Sequence, residues 1–252
     1  MTVLAVEGLR KAFGGVLAVD GVSFAVEPGE MLALIGPNGA GKSTCFNMVG
    51  GQLRPDAGTV RLAGRDIAGV PPRRICRLGV GRTFQVTATF ASMTARENVQ
   101  VAAVAHRGGT WRPWRSAAAP ERAAAEALLD QVGLSAQAER AAGVLAYGDL
   151  KRLELAVALA AEPRLLLMDE PTAGMAARER VALMRLVRAL ATERGLAVLF
   201  TEHDMDVVFG VSDRIAVLAR GALIASGAPE AIRADPQVRA IYLGAGRMGG
   251  GH

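Results

Sequence analysis

Short apolar runs dominate the first quarter of the chain. They have the length of β-strands, and glycine or proline lies at several of their borders. The uninterrupted run MLALI follows the turn Pro28-Gly29 and ends at a glycine, which is typical of a buried central strand. The predicted strands are TVLAV (2–6), VSFAV (22–26), MLALI (31–35) and GTVRLAG (58–64).

The pattern changes to helix between residues 87 and 159. Thr94 and Glu97 have the spacing of a capping box, in which each side chain bonds the backbone amide of the other residue at the start of a helix. The segment PERAAAEALLDQVG (120–133) begins with proline and ends with glycine, the usual order at helix ends. We therefore expect an inserted helical lobe over residues 87–159.

The β pattern returns after residue 160. It predicts the strand RLLLMDE (164–170), a helix that stops at Gly195, the strand LAVLFT (196–201) and a hairpin that turns at Arg220-Gly221. Alternating strands and helices favour a largely parallel sheet with crossover connections, and therefore an α/β fold. We find no internal repeat.

This organisation predicts a single domain. Its core would comprise residues 1–86 and 160–235, the helical lobe residues 87–159, and a C-terminal tail residues 236–252. The final segment GAGRMGGGH (244–252) is so rich in glycine that we do not expect it to order itself.

Composition fits a globular protein of a reducing compartment. The 252-residue chain is 51% hydrophobic, which is ample for a core. Cys45 and Cys76 make no metal or disulfide pattern. No apolar run approaches the roughly 18 to 20 residues that cross a bilayer, and an acid at position 7 argues against a signal region. We expect a chain that neither spans a membrane nor is secreted.

One basic segment leaves two interpretations open. The formal net charge is +5, and arginines alternate with Trp111 and Trp114 in HRGGTWRPWRS (106–116). Such a patch could bind nucleic acid or an anionic membrane surface. Because no nucleic-acid motif accompanies it, we favour a solvated insertion loop and expect no nucleic-acid partner.

The sequence GPNGAGKST (36–44) matches the phosphate-loop pattern between a predicted strand and a predicted helix. Its glycines let backbone N–H groups and the helix N-terminus surround a triphosphate. Lys42 would reach the β- and γ-phosphates, and the Ser43 hydroxyl would ligate Mg²⁺. A chance glycine-rich turn is the alternative. The predicted nucleotide-binding residues of this loop are Gly36, Asn38, Gly39, Ala40, Gly41, Lys42, Ser43 and Thr44.

A carboxylate pair follows the predicted strand RLLLMDE. Asp169 would hold the Mg²⁺ shell, and Glu170 lies one residue further on, where it could polarise an attacking water. The alternative is that the two acids only cap the next element. With a phosphate loop upstream, we expect the catalytic arrangement.

These residues resemble the nucleotide-binding subunit of an ABC transporter over nearly the full chain. LAYGD (145–149) occupies the place of that family's signature LSGGQ. The resemblance implies a P-loop NTPase cassette with a mainly parallel core sheet, an N-terminal antiparallel β subdomain and an inserted helical lobe. It also implies that two subunits pair head to tail, so that Ala146, Tyr147 and Gly148 contact ATP bound by the partner.

Further roles follow from the resemblance. Gln85 resembles the glutamine that senses Mg²⁺ and links core to lobe, and His203 resembles the catalytic switch histidine. Phe13 resembles the aromatic residue that stacks on adenine, although a single apolar residue near a β edge could equally be core. The implied cofactors are ATP and Mg²⁺, and the implied catalytic residues are Glu170, His203 and Gln85.

Three positions depart from the family pattern. Ala146 replaces the signature serine, Asp149 replaces its glutamine, and Ala176 stands where the family often has aspartate. The departures raise the alternative of a catalytically weakened regulatory cassette. Because the phosphate-loop and acidic residues are unchanged, we expect hydrolysis to survive.

Several segments together resemble the larger ATPase subunit of branched-chain amino-acid importers. They are YGDLKRLELAVALA, EPTAGMAARER, the loop at 106–118 and the ending DPQVRAIYLG. This implies a peripheral protein on the cytoplasmic face of the inner membrane, with two permease subunits, a second ATPase subunit and, indirectly, a periplasmic binding protein. Alternatives are a urea or amide importer, a lipopolysaccharide exporter, or a soluble ABC ATPase acting on nucleic acid or ribosomes. The absence of an NKxD motif disfavours a GTPase.

Overall fold

The computed structural model describes residues 2–83, 89–106 and 120–243. The strands are β1 Leu4–Phe13, β2 Val16–Val26, β3 Met31–Ile35, β4 Ala57–Leu62, β5 Arg65–Asp66, β6 Val80–Thr83, β7 Leu165–Asp169, β8 Ala197–Thr201, β9 Arg214–Ala219 and β10 Ala222–Gly227. The helices are α1 Lys42–Val49, α2 Pro72–Arg77, α3 Ala95–His106, α4 Pro120–Gln131, α5 Tyr147–Leu159, α6 Ala177–Arg194, α7 Met205–Val211, α8 Pro229–Ala234 and α9 Pro236–Leu243.

A six-stranded sheet forms the centre of the molecule, in the order β10-β9-β3-β8-β7-β6. The pairs β3–β8, β3–β9, β7–β8 and β6–β7 are parallel, and β10 is an antiparallel edge. The prediction of a mainly parallel sheet is therefore confirmed. Since parallel strands end on the same side, the loops that follow β3, β7 and β8 meet at one edge of the sheet.

Side chains of β3 alternate between two cores. Leu32 and Leu34 face a cluster that contains Phe46 of α1, whereas Met31, Ala33 and Ile35 face the helices on the other side of the sheet. This period of two is the geometry of a strand buried on both faces. The apolar run MLALI is thus the central strand that the sequence predicts.

A four-stranded antiparallel sheet, in the order β2-β1-β4-β5, packs on the same cluster as α1. β1 and β2 are about twice as long as the five-residue patterns that predict them, with 10 and 11 residues. The pairing of β1 with β2 has register shifts, and Gly8 and Gly21 adopt positive φ near them. These bulges interrupt the alternation of apolar and polar residues, so the pattern reveals only part of each strand.

Helices α3, α4 and α5 pack against one another within the chain segment predicted as the helical lobe. Their contacts include the buried residues Val99, Leu129 and Leu153. The predicted capping box opens α3: the Thr94 amide donates to Glu97 Oε2 at 2.8 Å, and the Glu97 amide donates to Thr94 Oγ1 at 3.1 Å.

Two predicted turns are also present. α6 ends before Gly195, whose left-handed backbone has φ 62°, and β9 and β10 form a hairpin across Arg220 and Gly221. α9 occupies the start of the predicted tail, and the predicted disordered segment 244–252 lies outside the described residues. Among the helices that the structure describes, none has both the length and the apolar character needed to span a membrane.

Candidate functional site

The phosphate loop joins β3 to α1 and depends on two glycines. A Cβ at Gly36 would overlap the carbonyl oxygen of Leu218, and one at Gly41 would lie 2.5 Å from the carbonyl oxygen of Ala18. Both residues also have positive φ, 153° and 102°. Gly39, in contrast, faces open space. Residues 36 and 41 therefore fit the loop against β2 and β9, while Gly39 leaves its outer side accessible.

The amino-terminal end of α1 carries no side-chain cap. Its N-cap is Gly41, which has no side chain to accept hydrogen bonds from the first turn. The first-turn amides therefore point out of the helix beside the exposed Ser43 side chain, and the positive end of the helix dipole lies there. This arrangement suits an anionic ligand.

Lys42 is almost completely buried in the loop. Its Nζ donates to the carbonyl oxygens of Gly36, at 2.6 Å, and Pro37, at 3.1 Å. Burial lowers the pKa of Lys42, while the negative charges of Glu170 and Asp169 oppose that shift. The lysine is thus folded back on its own loop and lies within the electrostatic influence of both acids predicted to complete the site.

Asp169 ends β7 beside the neighbouring strand. Thr201 Oγ1 donates to its Oδ1 at 2.7 Å, and Arg82 Nη2 lies 3.9 Å from its Oδ2. Burial lowers the pKa of Arg82, and the charge of Asp169 opposes this. The carboxylate is held by groups on the two strands that flank β7.

Glu170 and His203 form a direct contact. Nε2 of His203 lies 2.7 Å from Oε1 of Glu170, and the Glu170 amide donates to Thr201. Glu170 has φ 49°, a left-handed conformation that is unfavourable for a residue other than glycine. Surrounding contacts must hold such a conformation, and here Thr201 accepts the hydrogen bond of the Glu170 amide. The structure therefore brings together the acid and the histidine that the resemblance assigns to catalysis.

Sequence reasoning missed three residues that hold this cluster. Thr201, Glu202 and Thr172 are buried, and each bonds to a residue near the predicted acids or to His203. A signal was present: three consecutive polar residues, Thr201 to His203, directly follow the buried apolar run AVLF. Of these three residues, only the histidine has chemistry that a short sequence pattern indicates.

The signature segment lies where the helical lobe meets the loop after β7. Ala146 is the N-cap of α5, and Tyr147 Oη donates to the carbonyl oxygen of Ala173 at 2.9 Å. Gly148 lies against Glu179, whose Oε1 would be 3.1 Å from an added Cβ. Within one chain, these residues contact α6 and the loop that precedes it.

Of the remaining predicted residues, the structure describes Phe13 but not Gln85. Phe13 ends β1 with half of its surface exposed, so it is not part of the core, and Lys11 Nζ lies 5.7 Å from its ring centre. Gln85 lies outside the described residues, as does most of the arginine and tryptophan segment at 106–116.

Comparison with known proteins places this geometry in a family. The profile described as "ABC transporter" matches residues 19–173, and that of "Branched-chain amino acid ATP-binding cassette transporter" matches residues 222–247. The chain is similar to the high-affinity branched-chain amino acid transport ATP-binding protein BraF of Pseudomonas aeruginosa, with 43% identity over 96% of this chain and 98% of BraF. It is 42% identical to LivG of Escherichia coli, a protein of the same description, over 96% of this chain and 97% of LivG.

Solved structures show the same fold. The ADP conformation of MJ1267, an ATP-binding cassette of an ABC transporter, has a TM-score of 0.85 and 32% identity, covering 97% of this chain and 99% of that one. A dimeric post-hydrolysis state of the cassette MJ0796 with ADP and phosphate has a TM-score of 0.75 and 25% identity, covering 90% and 98%. The chain therefore belongs to the ABC transporter family, as a nucleotide-binding cassette that hydrolyses ATP.

Proposed function

We propose that this cassette powers an importer of branched-chain or other hydrophobic amino acids. The observation that carries the catalytic part is the 2.7 Å contact between Glu170 and His203, at the sheet edge that also holds the phosphate loop. Similarity to BraF and LivG over 96% of the chain supports the substrate class.

The loop and the helix end fit a nucleoside triphosphate. Lys42 would exchange its two carbonyl partners for phosphate oxygens, a stronger charge-assisted contact. Gly39 leaves room on the outer side of the loop, and Asn38, Ala40 and Thr44 are the other proposed contacts of this segment. Phe13 lies exposed at the end of β1, as a residue that stacks on adenine must.

Mg²⁺ also fits the donor set. The structure describes no cluster of three or more acidic, histidine or cysteine side chains that could hold a metal alone. Mg²⁺ is commonly bound by one or two protein groups together with substrate phosphates, which matches Ser43 and Asp169, with Gln85 as the third predicted contact. When bound, the ion neutralises charge on the phosphates.

Glu170 and His203 have different roles in the proposed hydrolysis. Glu170 orients a water for attack and takes up its proton, while His203 holds the Glu170 carboxylate and contacts the γ-phosphate. In a head-to-tail dimer, Ala146, Tyr147 and Gly148 of the partner subunit would complete the site. Here Ala146 offers its open helix end but no hydroxyl.

An exposed apolar surface of the lobe suits a permease helix. Phe90 and Val144 are more than half exposed. Asn98 holds the turn that presents Phe90: its Oδ1 accepts from the Phe90 amide at 2.7 Å, and its Nδ2 donates to the Thr94 carbonyl at 2.9 Å. Residues 86–99 would pass the closing motion from the core to the permease.

The proposed assembly contains two permeases, a second ATPase subunit and, on the other side of the membrane, a substrate-binding protein. The cassette would lie on the cytoplasmic face of the inner membrane as a peripheral subunit. Its catalytic core would be 1–86 and 160–235, its lobe 87–159 and its tail 236–252.

The test is capture of the assembly from source-cell membranes. Tagged Glu170→Gln protein with Mg-ATP would trap the closed state, and Lys42→Ala is the matched control because it lacks the phosphate contact. We expect multi-span permeases and a second ATPase with the first variant only, and a branched-chain amino acid as the ligand of the accompanying binding protein. Recovery of soluble partners or nucleic acid alone would refute the importer.

A further inference from the structure

Glu202 is a buried acid that the catalytic scheme above does not use. It lies directly after β8 with 5% of its surface exposed, between Thr201 and the switch histidine. Each of these three consecutive residues bonds a residue at the end of β7 or in the loop that follows it. Thr201 bonds Asp169, Glu202 bonds Thr172, and His203 bonds Glu170.

Both carboxylate oxygens of Glu202 accept hydrogen bonds. Oε1 accepts from the Thr172 amide at 2.9 Å and from the Thr172 hydroxyl at 2.6 Å, and Oε2 accepts from the His203 amide at 3.1 Å. Within the described part of the chain, no lysine or arginine forms an ion pair with it. A buried carboxylate without a cation depends on such donors.

These contacts join the two backbone segments that carry the catalytic pair. Thr172 lies two residues after Glu170, whose strained backbone must be held by its surroundings. The other contact is to the amide of His203 itself. One buried side chain therefore bonds both the loop after β7 and the loop after β8.

We propose that Glu202 is a positioning residue, which holds the His203 imidazole against the Glu170 carboxylate. The inference rests on the catalytic roles proposed for those two residues. Glu202 would not touch nucleotide; it would keep the histidine in reach of the acid while ATP enters and products leave. Small displacements of catalytic groups are costly, about a hundredfold in rate for roughly 1 Å.

Glu202→Gln is the sharpest substitution, because glutamine has nearly the same shape but only one accepting oxygen. Its NH₂ group would meet an N–H donor, at either Thr172 or His203. Thr172→Val is a second, milder variant that removes only the hydroxyl donor. Glu193→Gln changes an exposed acid of α6 in the same way and is the matched control.

The measurements are kcat and KM for Mg-ATP, each in the wild-type and in the His203→Ala background, with single-turnover assays for slow variants. We expect Glu202→Gln to lower kcat about tenfold with KM changed less than about twofold, since the phosphate loop is untouched. In the His203→Ala background, the same substitution should change turnover less than about twofold, because the group it positions is gone. Thr172→Val should lower kcat by a smaller factor, again only when His203 is present. Glu193→Gln should not change kcat.

Three results would overturn the inference. The first is a kcat of Glu202→Gln within twofold of wild type. The second is an equal fall in kcat in the wild-type and His203→Ala backgrounds. The third is a fall in kcat/KM that comes from a raised KM. If Glu202→Gln does not fold, the kcat of Thr172→Val is compared between the wild-type and His203→Ala backgrounds, and the same three criteria apply. Failure of the catalytic roles proposed for Glu170 and His203 is distinguishable, because Glu170→Gln and His203→Ala alone would then leave turnover unchanged. The importer itself is tested separately, by the membrane capture described above.

Discussion

The helices of this cassette begin in two different ways. α3 and α7 have side-chain caps: Thr94 accepts from the Glu97 amide, and Asp204 accepts from the amides of Asp206 and Val207. α5 and α6 begin after Ala146 and Ala176, neither of which can accept a hydrogen bond through its side chain. α5 and α6 therefore lack side-chain caps, as α1 does, and they begin at the signature segment and after the loop that follows β7.

This difference gives a common physical meaning to two departures from the family pattern. Serine at position 146 and aspartate at position 176 would both be good N-caps, and alanine is a poor one. Asp149, in the first turn of α5, favours the helix dipole, but its negative charge would oppose an approaching phosphate. The side of the site that carries the proposed catalytic residues, in contrast, is held by the internal hydrogen bonds of Asp169, Glu170 and Glu202.

The comparison of these two regions predicts that catalysis depends on the residues after β7 and β8 more than on the signature segment. Glu170→Gln should lower Mg-ATP turnover by about 10²–10⁴-fold, the range typical of a lost general base. Steady-state phosphate release measures this. Glu193→Gln is the control, and a wild type no faster than Glu170→Gln would instead support the weakened regulatory cassette.

Lys42→Ala tests binding on the same side. We expect the affinity for ATP to fall about 10- to 100-fold, because a hydrogen bond to a charged group contributes about 1.5–3 kcal/mol. Isothermal titration with Mg-ATP measures the loss. Arg185→Ala removes one exposed positive charge from α6 and should bind Mg-ATP with normal affinity. If both variants lost the same affinity, the net charge of the protein, and not a contact of Lys42, would explain the loss.

Ala146→Ser tests the signature side. The added hydroxyl can cap α5 and donate to the partner's nucleotide, so ATP-dependent dimerisation should strengthen by about 1–2 kcal/mol. The experiment uses the Glu170→Gln background and sedimentation with Mg-ATP. Ala123→Ser, on the exposed face of α4, is the control. Unchanged dimerisation would mean that position 146 does not reach the second nucleotide.

Ala176→Asp should have the smallest effect, and it concerns stability. Aspartate at the N-cap of α6 can accept from the first-turn amides and also favours the helix dipole, together about 1 kcal/mol. Urea unfolding without nucleotide measures this gain. Ala127→Asp, within α4, should bring no gain. Lower stability of Ala176→Asp would show that the local backbone does not permit the cap.

Local patterns were sufficient to predict much of the candidate site. The phosphate loop, the pair Asp169 and Glu170, and the capping box at Thr94 were all recognisable in the sequence. In each case the chemistry depends on residues a few positions apart, next to one strand or one helix. The lengths of β1 and β2 were underestimated because their bulges break the alternation that defines a strand.

The contacts of Glu202 and Tyr147 could not be predicted from local sequence patterns. Glu202 is one acid among many in the sequence, and only the parallel pairing of β7 with β8 places it beside Thr172, thirty residues earlier. Tyr147 reaches Ala173 only because the helical lobe folds back on the core. The order of residues determined which groups could bind a nucleotide. The pairing of distant strands and helices decided how those groups are held, since hydrogen bonds between remote segments form only after the chain has folded.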